Sequence, residues 1–334
     1  PKYDGACRER AIGPDSETPF CVRLRVPDDG VTRWMDQIAG PSGQDLEMLD
    51  DFVLQRSDGT PIYHLAVVVD DHEMGVTHVI RAREHLTSTP RQLLIYGALG
   101  YAPPEFAHVP LLDNPEGKKL SKRDGDLSVQ AYRDGGFLPE AVLNFIARLG
   151  WGHGDLELFD ANELARLFDL RDIGKSPSQV HPDKLLWINQ HYIQKIPAEE
   201  LFRHARPFLE RIAGRSLVFD ATLERVLDLL RARSKTLEEL AERAAFYLCD
   251  KVEYEPKSAR KHLTTASRPL LENVRSALDG VSETDWRAAH LEEPFRAIVE
   301  QAGVGLGDLA QAVRVALVGS AASPGIFETL EVVG

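Results

Sequence analysis

From about residue 138 to its end, the chain shows one recurrent pattern: apolar side chains at i, i+3, i+4 and i+7, in runs separated by polar or turn-forming segments. Val142, Phe145, Ile146 and Leu149 form one such stripe, started by Leu138-Pro139-Glu140 and stopped by Gly150. Similar stripes lie around residues 164–168, 223–230, 237–248 and 309–318. A 3.6-residue period with one apolar face requires helices that bury that face on each other. The second half is therefore expected to be all-α, with no tandem repeat and no low-complexity tract.

Upstream the pattern changes. Residues 1–60 are polar and turn-rich, with a strand-like piece at 21–26 ended by Pro27-Asp28-Asp29-Gly30. Tyr63-His64-Leu65-Ala66-Val67-Val68-Val69 is a short, near-continuous apolar run, as expected for a strand covered on both faces of a parallel sheet. Residues 76–80 read as a second strand. Thr89 then caps a helix with Pro90 at its first position, passing through Leu93, Leu94 and Leu99 and ending before Gly100. A further apolar stretch, 106–112, leads into Gly117-Lys118-Lys119-Leu120-Ser121-Lys122-Arg123. This is half of an α/β nucleotide-binding domain, with its loop at the C-terminal end of a strand. Only half is visible, because residues 1–60 do not look like the missing strands. The fold class read from the pattern is α/β plus all-α.

The lysine loop suits a triphosphate whose pyrophosphate must be held while the α-phosphate is attacked. Alone it is only a basic turn, since Asn114-Pro115-Glu116-Gly117 is ordinary turn chemistry. Other site motifs are absent: no G-x-x-x-x-G-K-[ST] loop, no G-x-S-x-G elbow and no H-E-x-x-H helix occurs. Asp70-Asp71-His72-Glu73 reads as the end of a buried strand whose carboxylates cap backbone amides rather than as a metal cluster. His181 and His191 flank a helix around Trp187 and read as packing or surface residues. No zinc spacing can be built from Cys7, Cys21 and Cys249, so no metal site is expected. Those scattered cysteines also fit a reducing cytoplasm better than a disulfide framework. No apolar run reaches membrane-spanning length. The net charge of −13 argues against a polyanionic partner until its distribution is examined. Residues 195–270 hold 15 Lys and Arg against 12 Asp and Glu, whereas the remainder holds 24 against 40. Salt screens charges beyond about 10 Å, so a local basic face can still bind RNA.

Several unusual strings occur in order. They include Pro1-Lys2-Tyr3-Asp4-Gly5, Arg56-Ser57-Asp58-Gly59-Thr60-Pro61, Tyr63 to Gly75, Thr77-His78-Val79-Ile80-Arg81-Ala82-Arg83-Glu84-His85-Leu86, Ser88-Thr89-Pro90-Arg91-Gln92 and Lys119-Leu120-Ser121-Lys122-Arg123. Together they resemble the bacterial glutamyl-tRNA synthetases, of the class I aminoacyl-tRNA synthetase family, over essentially the whole chain. Lys119 to Arg123 matches that family's K-M-S-K-S-type loop. The resemblance implies a second half of a class I Rossmann catalytic domain followed by stem-contact and helical anticodon-binding domains. The implied boundaries are 1–60 for the later part of a connective insertion that binds the tRNA acceptor end, 61–118 for the Rossmann half, 119–195 for the loop and stem-contact region, and 196–334 for the anticodon-binding region. The implied substrates are ATP with Mg2+, L-glutamate and glutamate tRNA, handled by a cytoplasmic monomer with no membrane partner.

Residue by residue, the resemblance assigns pyrophosphate contacts to Lys119 and Lys122, with Ser121 beside them. It gives Tyr63 and Arg81 to the substrate glutamate, with the Arg81 fork pairing bidentately with a carboxylate. Glu84 and His85 line the ATP pocket, and Arg231 and Arg233 face the tRNA. Arg83 departs from the pattern, since relatives carry an acidic residue there. The family's H-I-G-H-type motif and the arginine and serine that precede it do not occur, and the chain stops soon after Ile326-Phe327 where relatives continue for another helix, so it reads as trimmed at both ends and is expected to be inactive alone. Two further readings stay open: a tRNA-binding module without catalysis, and a ligase that also charges glutamine tRNA.

Overall fold

The computed structural model of the chain describes residues 3–8, 19–120, 128–249 and 251–334. They divide into two compact units, Pro1–Asp124 with Ile146–His181, and Gly125–Phe145 with Pro182–Gly334.

In the first unit β1 (Val22–Arg23) is followed by a hairpin of β2 (Val31–Asp36) and β3 (Gly40–Asp45), then by β4 (Val53–Gln55), which pairs antiparallel with β1. Next come α1 (Tyr63–Glu73), β5 (His78–Ala82), α2 (Thr89–Leu99), β6 (Glu105–Val109) and β7 (Leu112–Asp113). The main sheet has the order β3-β2-β6-β5. β5 and β6 run parallel in register from His78↔Glu105 to Ala82↔Val109, with α2 as their crossover. β2 joins β6 in parallel at Asp36↔Phe106.

Three sequence expectations change here. Residues 1–60 do supply sheet strands. β2 covers only one face, with Trp34 and Asp36 inward and Val31, Arg33 and Met35 outward. A strand covered on one face reads as polar, which hid it. The run 63–69 is no strand but the first two turns of α1, and Asp70 to Glu73 are its last turn. A seven-residue apolar run does not distinguish a buried strand from a helix, and tertiary packing overrode the β-branched preference. Val68 is buried against Ile95 and Tyr96 of α2 in a core that also holds Val26, Leu46, Leu49, Phe52 and Phe106, while Tyr63 at the helix start is 55% exposed. Finally, α2 begins at Thr89 and Pro90 as expected, but Thr89 does not cap it: the residue is buried and its hydroxyl serves another partner.

After β7 come α3 (Val129–Asp134), α4 (Pro139–Arg148), α5 (Ala161–Leu167) and β8 (Ser178–Gln179), which pairs with β7. The buried stripe of α4 sits one turn earlier than expected, on Leu138, Ala141, Val142 and Phe145, and Ile146 is 48% exposed. The helical unit continues with α6 (Pro182–Lys195), α7 (Ala198–Ala213), α8 (Ala221–Arg231) and α9 (Leu237–Leu248). Leu201, Leu209, Leu227, Leu230 and Leu240 are fully buried in it. Asp220 and Thr236 cap α8 and α9, accepting from the backbone N–H of Leu223 at 2.8 Å and Glu239 at 3.1 Å.

Gly136 lets the chain pass close to the start of α9. Its φ is +78°, and an added Cβ would lie 2.7 Å from the Glu238 nitrogen and 2.9 Å from that of Leu237. Buried Asn189 ties the same region together. Its Oδ1 accepts from the Leu138 N–H at 2.8 Å and its Nδ2 donates to the Lys235 carbonyl at 2.6 Å. A second core around Leu291, Phe295, Leu309, Val313, Ile326 and Leu330 holds α11 (Ser267–Leu278), α12 (Ala288–Ala302), α13 (Leu306–Val318) and α14 (Ile326–Val333), after the short α10 (Pro256–His262). Among the described residues no helix is long and apolar enough to cross a membrane.

Candidate functional site

The register of the central strands sets the site. Pairing of β5 with β6 places Arg81 opposite His108, and the neighbouring strand β2 ends at Asp36. Arg81 Nε donates to His108 Nε2 at 3.1 Å, and its Nη2 donates to Thr89 Oγ1 at 2.9 Å and Gln92 Oε1 at 2.8 Å. These bonds take up Nε and Nη2 and leave Nη1 outside the set. Behind the arginine, His108 Nδ1 lies 2.5 Å from Asp36 Oδ2, with both side chains fully buried. Since Nε2 accepts from Arg81, the ring proton sits on Nδ1 and is donated to Asp36. Asp36 Oδ1 also accepts the backbone N–H groups of Ile38, Ala39 and His108 at 3.1, 2.8 and 3.2 Å.

The electrostatics follow from these partners. Burial pushes the Asp36 carboxyl up, but the hydrogen bonds from His108 and the three backbone amides outweigh it and hold it below the usual carboxylate range. Burial lowers His108, and although Asp36 pulls the other way, the Arg81 charge and His85 add to the depression. Burial also lowers Arg81, while Tyr63, Asp71 and Tyr96 favour its charged form. A guanidinium starts so high that it stays charged regardless. Tyr63 and Arg81, expected at one substrate, are thus electrostatic neighbours, with Tyr63 on the first turn of α1 rather than on a strand.

The lysine loop leaves β7 through a tight turn. Gly117 N–H donates to the Asn114 carbonyl at 2.9 Å, Lys118 N–H to Asn114 Oδ1 at 2.9 Å, and Leu120 N–H to the Leu112 carbonyl at 2.9 Å. Gly117 has a φ of +75°, so the turn itself requires glycine there. This geometry carries Lys119 to Glu84, with 2.7 Å between Nζ and Oε2. The ammonium holds the Glu84 carboxyl below its usual range. Both groups are exposed, and an exposed pair yields readily to a competing anion. His85 acts on both Glu84 and His108 through space. The neighbouring Arg83 donates to the Lys175 carbonyl at 2.8 Å. Ser121 and Lys122 lie outside the described residues. Among the described residues no cluster of three His, Cys, Asp or Glu side chains could hold a metal ion.

In the helical unit the two arginines assigned to tRNA part company. Arg231, the last residue of α8, pairs with Asp228 at 3.1 Å and donates to the Ile196 carbonyl, and its side chain is only 17% exposed. Arg233 is exposed and donates to the Ser323 carbonyl at 2.9 Å, next to Arg314, whose Nε meets Ser323 Oγ at 2.8 Å.

Sequence reasoning missed Asp36, His108 and Gln92. The signal present was a histidine inside an apolar strand run, Phe106-Ala107-His108-Val109, which a buried sheet does not tolerate without a partner. The partner is 72 residues away and carries no local mark.

Comparison with known proteins gives two family matches. Residues 1–187 match the catalytic domain of tRNA synthetases class I (E and Q), and residues 200–334 match an anticodon binding domain. The glutamate–tRNA ligase of Geobacter sulfurreducens is 45% identical over 334 residues, covering 100% of this chain and 71% of that protein. That of Syntrophobacter fumaroxidans is 47% identical, covering 100% and 70%. A crystal structure of a glutamate tRNA ligase from Elizabethkingia meningosepticum, in complex with its amino acid, superposes with a TM-score of 0.86 at 29% identity, over 100% of this chain and 71% of that one. An α/β unit carrying the arginine and lysine-loop sites, a helical unit after it and these matches agree: the chain belongs to the class I tRNA synthetase family of the glutamate and glutamine type.

Proposed function

We propose that the protein carrying this sequence performs glutamate–tRNA ligation: ATP-dependent activation of L-glutamate and its transfer to glutamate tRNA. Within the proposed layout, residues 61–118 together with β2 and β3 of the same sheet form the second half of a class I Rossmann domain, the rest of 1–60 belongs to the acceptor-end insertion, 119–195 meet the tRNA stem and 196–334 its anticodon. The observation that carries the reading is Arg81, held at the C-terminal end of a parallel strand by uncharged acceptors, with Tyr63 beside it.

In the first step the glutamate α-carboxylate attacks the α-phosphate of ATP, forming the mixed anhydride and releasing pyrophosphate. In the second, the terminal ribose hydroxyl of tRNA attacks the activated carbonyl and AMP leaves. Arg81 presents Nη1 to the side-chain carboxylate of glutamate. Glutamine offers no charge there, and a half-buried arginine left without an anion disfavours it. Tyr63 contributes its hydroxyl to the same substrate. Lys119, released from Glu84 by the incoming phosphates, and Lys122 follow the charge as it moves onto pyrophosphate. Ser121, Glu84 and His85 line the nucleotide side. Magnesium accompanies ATP as part of that substrate. Arg233 meets the tRNA, and Arg231 holds the end of α8 behind it.

The test is glutamate-dependent ATP–pyrophosphate exchange by the protein that carries this sequence, with tRNA binding recorded in parallel. Lys122→Ala is expected to lower exchange by about a hundredfold while sparing tRNA binding. Exchange that is independent of glutamate, or unchanged in Lys122→Ala, overturns the assignment.

A further inference from the structure

We propose that Asp36 and His108 are positioning residues: a buried pair that locks the Arg81 guanidinium in one rotation, so that Nη1 is the edge offered to the substrate carboxylate. The inference rests on the reading of Arg81 as the carboxylate ligand.

The argument begins with charge. Arg81 donates to three acceptors, His108 Nε2, Thr89 Oγ1 and Gln92 Oε1, with the Tyr63 hydroxyl as a further hydrogen-bonding neighbour, and each of these groups is neutral. Among the described residues no carboxylate lies within ion-pair distance of it. A carboxylate set directly against the guanidinium would orient it equally well, but would also neutralise it and compete with an incoming carboxylate. A neutral imidazole orients without neutralising.

That device works only if the imidazole keeps one tautomer, with Nε2 bare. Asp36 supplies this by taking the proton on Nδ1 at 2.5 Å. Asp36 in turn is fixed by three backbone N–H groups on its Oδ1, one from β6 and two from the turn after β2, which hold the carboxylate in one rotation. A side chain needed only to fill the sheet would be cheaper to bury as an aliphatic one. The Nε2 acceptor is explained by the arginine it meets.

The charged and titratable groups around the ring are Asp36 from β2, Arg81 from β5 and His85 from the turn between β5 and α2. From α2 it meets only the Thr89 hydroxyl, at 3.3 Å from Nε2. Arg81 on the Nε2 side and the Asp36 carboxylate on the Nδ1 side favour the same neutral tautomer.

The experiment uses the full chain with 15N-labelled histidine and arginine. Wild-type protein is expected to show His108 neutral, protonated on Nδ1 at neutral pH, and an Arg81 Nε–H that exchanges slowly with water. His108→Gln keeps an acceptor long enough to reach Arg81, whereas His108→Asn keeps only the donor to Asp36. Slow Arg81 exchange should therefore survive in the glutamine variant and be lost in the asparagine variant. Affinity for L-glutamate should fall about ten- to a hundredfold in His108→Asn and much less in His108→Gln. A wild-type ring that is doubly protonated or protonated on Nε2 overturns the proposal, and this measurement needs no variant to fold. So does glutamate affinity equal to wild type in both variants. Arg81→Ala separates the two readings: if it leaves glutamate affinity unchanged, the carboxylate role of Arg81 fails while the His108 spectra still report the pair.

Discussion

Arg81 is legible in the sequence as a cation ending a strand, and its proposed place at the substrate comes from the family resemblance of the strings around it. Its hydrogen-bonding partners are not legible there: His108 lies 27 residues on, and that histidine is in turn held by Asp36, 72 residues before it. The pair also has a consequence for stability. Burial holds His108 below the ordinary value of about 6.5 in the folded state, so above that pH both states are neutral and nothing is gained or lost. As pH falls through about 6.5 the unfolded chain takes up a proton that the folded chain refuses, and stability falls. Half-buried His64 and His191, lowered by partial burial and nearby cations, act with the same sign. Asp36, held low, keeps its contribution above about 3.9 and loses it only as pH drops further. Urea midpoints measured from pH 7.5 down to 5 should decline, and His108→Gln should flatten part of that decline. A flat profile in the wild type would contradict the buried neutral imidazole.

At the scale of elements, the helical half was legible because each stripe is a local property. The predicted run at 237–248 coincides with α9. The stretch 63–69 was misread because a run of valines satisfies either a covered strand or a helix packed against another helix, and only α2 decides between them. Strand β2 was missed because half of its residues face away from the core. Gly136 shows a constraint no periodicity reveals, since its freedom matters only because the start of α9 lies against it. Gly136→Ala is expected to destabilise the protein by about 2–4 kcal/mol, combining a left-handed backbone with a clash against peptide nitrogens that cannot move aside. Denaturant unfolding followed by circular dichroism measures this, and a change near zero would mean that the loop can be displaced at no cost.

For the whole molecule, the net charge of −13 conceals a basic segment between 195 and 270, where the anticodon binding domain begins. tRNA affinity is expected to fall with salt despite the acidic total, because counterion release depends on local contacts. Arg233→Ala should weaken binding and reduce the log–log salt slope by about 1. Arg231→Ala should lower unfolding stability instead, since its side chain closes the end of α8. Filter binding at several salt concentrations checks the pair, and equal effects from the two variants would contradict their different placement. The sequence by itself determined the helical stripes, the lysine turn at Gly117 and the order of family strings, because each depends on neighbours along the chain. Only the tertiary structure decided that 63–69 is helical, that Arg231 faces inward while Arg233 stays exposed, and that Arg81 meets neutral acceptors. Those outcomes depend on which distant segments the sheet and helices bring within hydrogen-bond reach, and no local pattern encodes that distance.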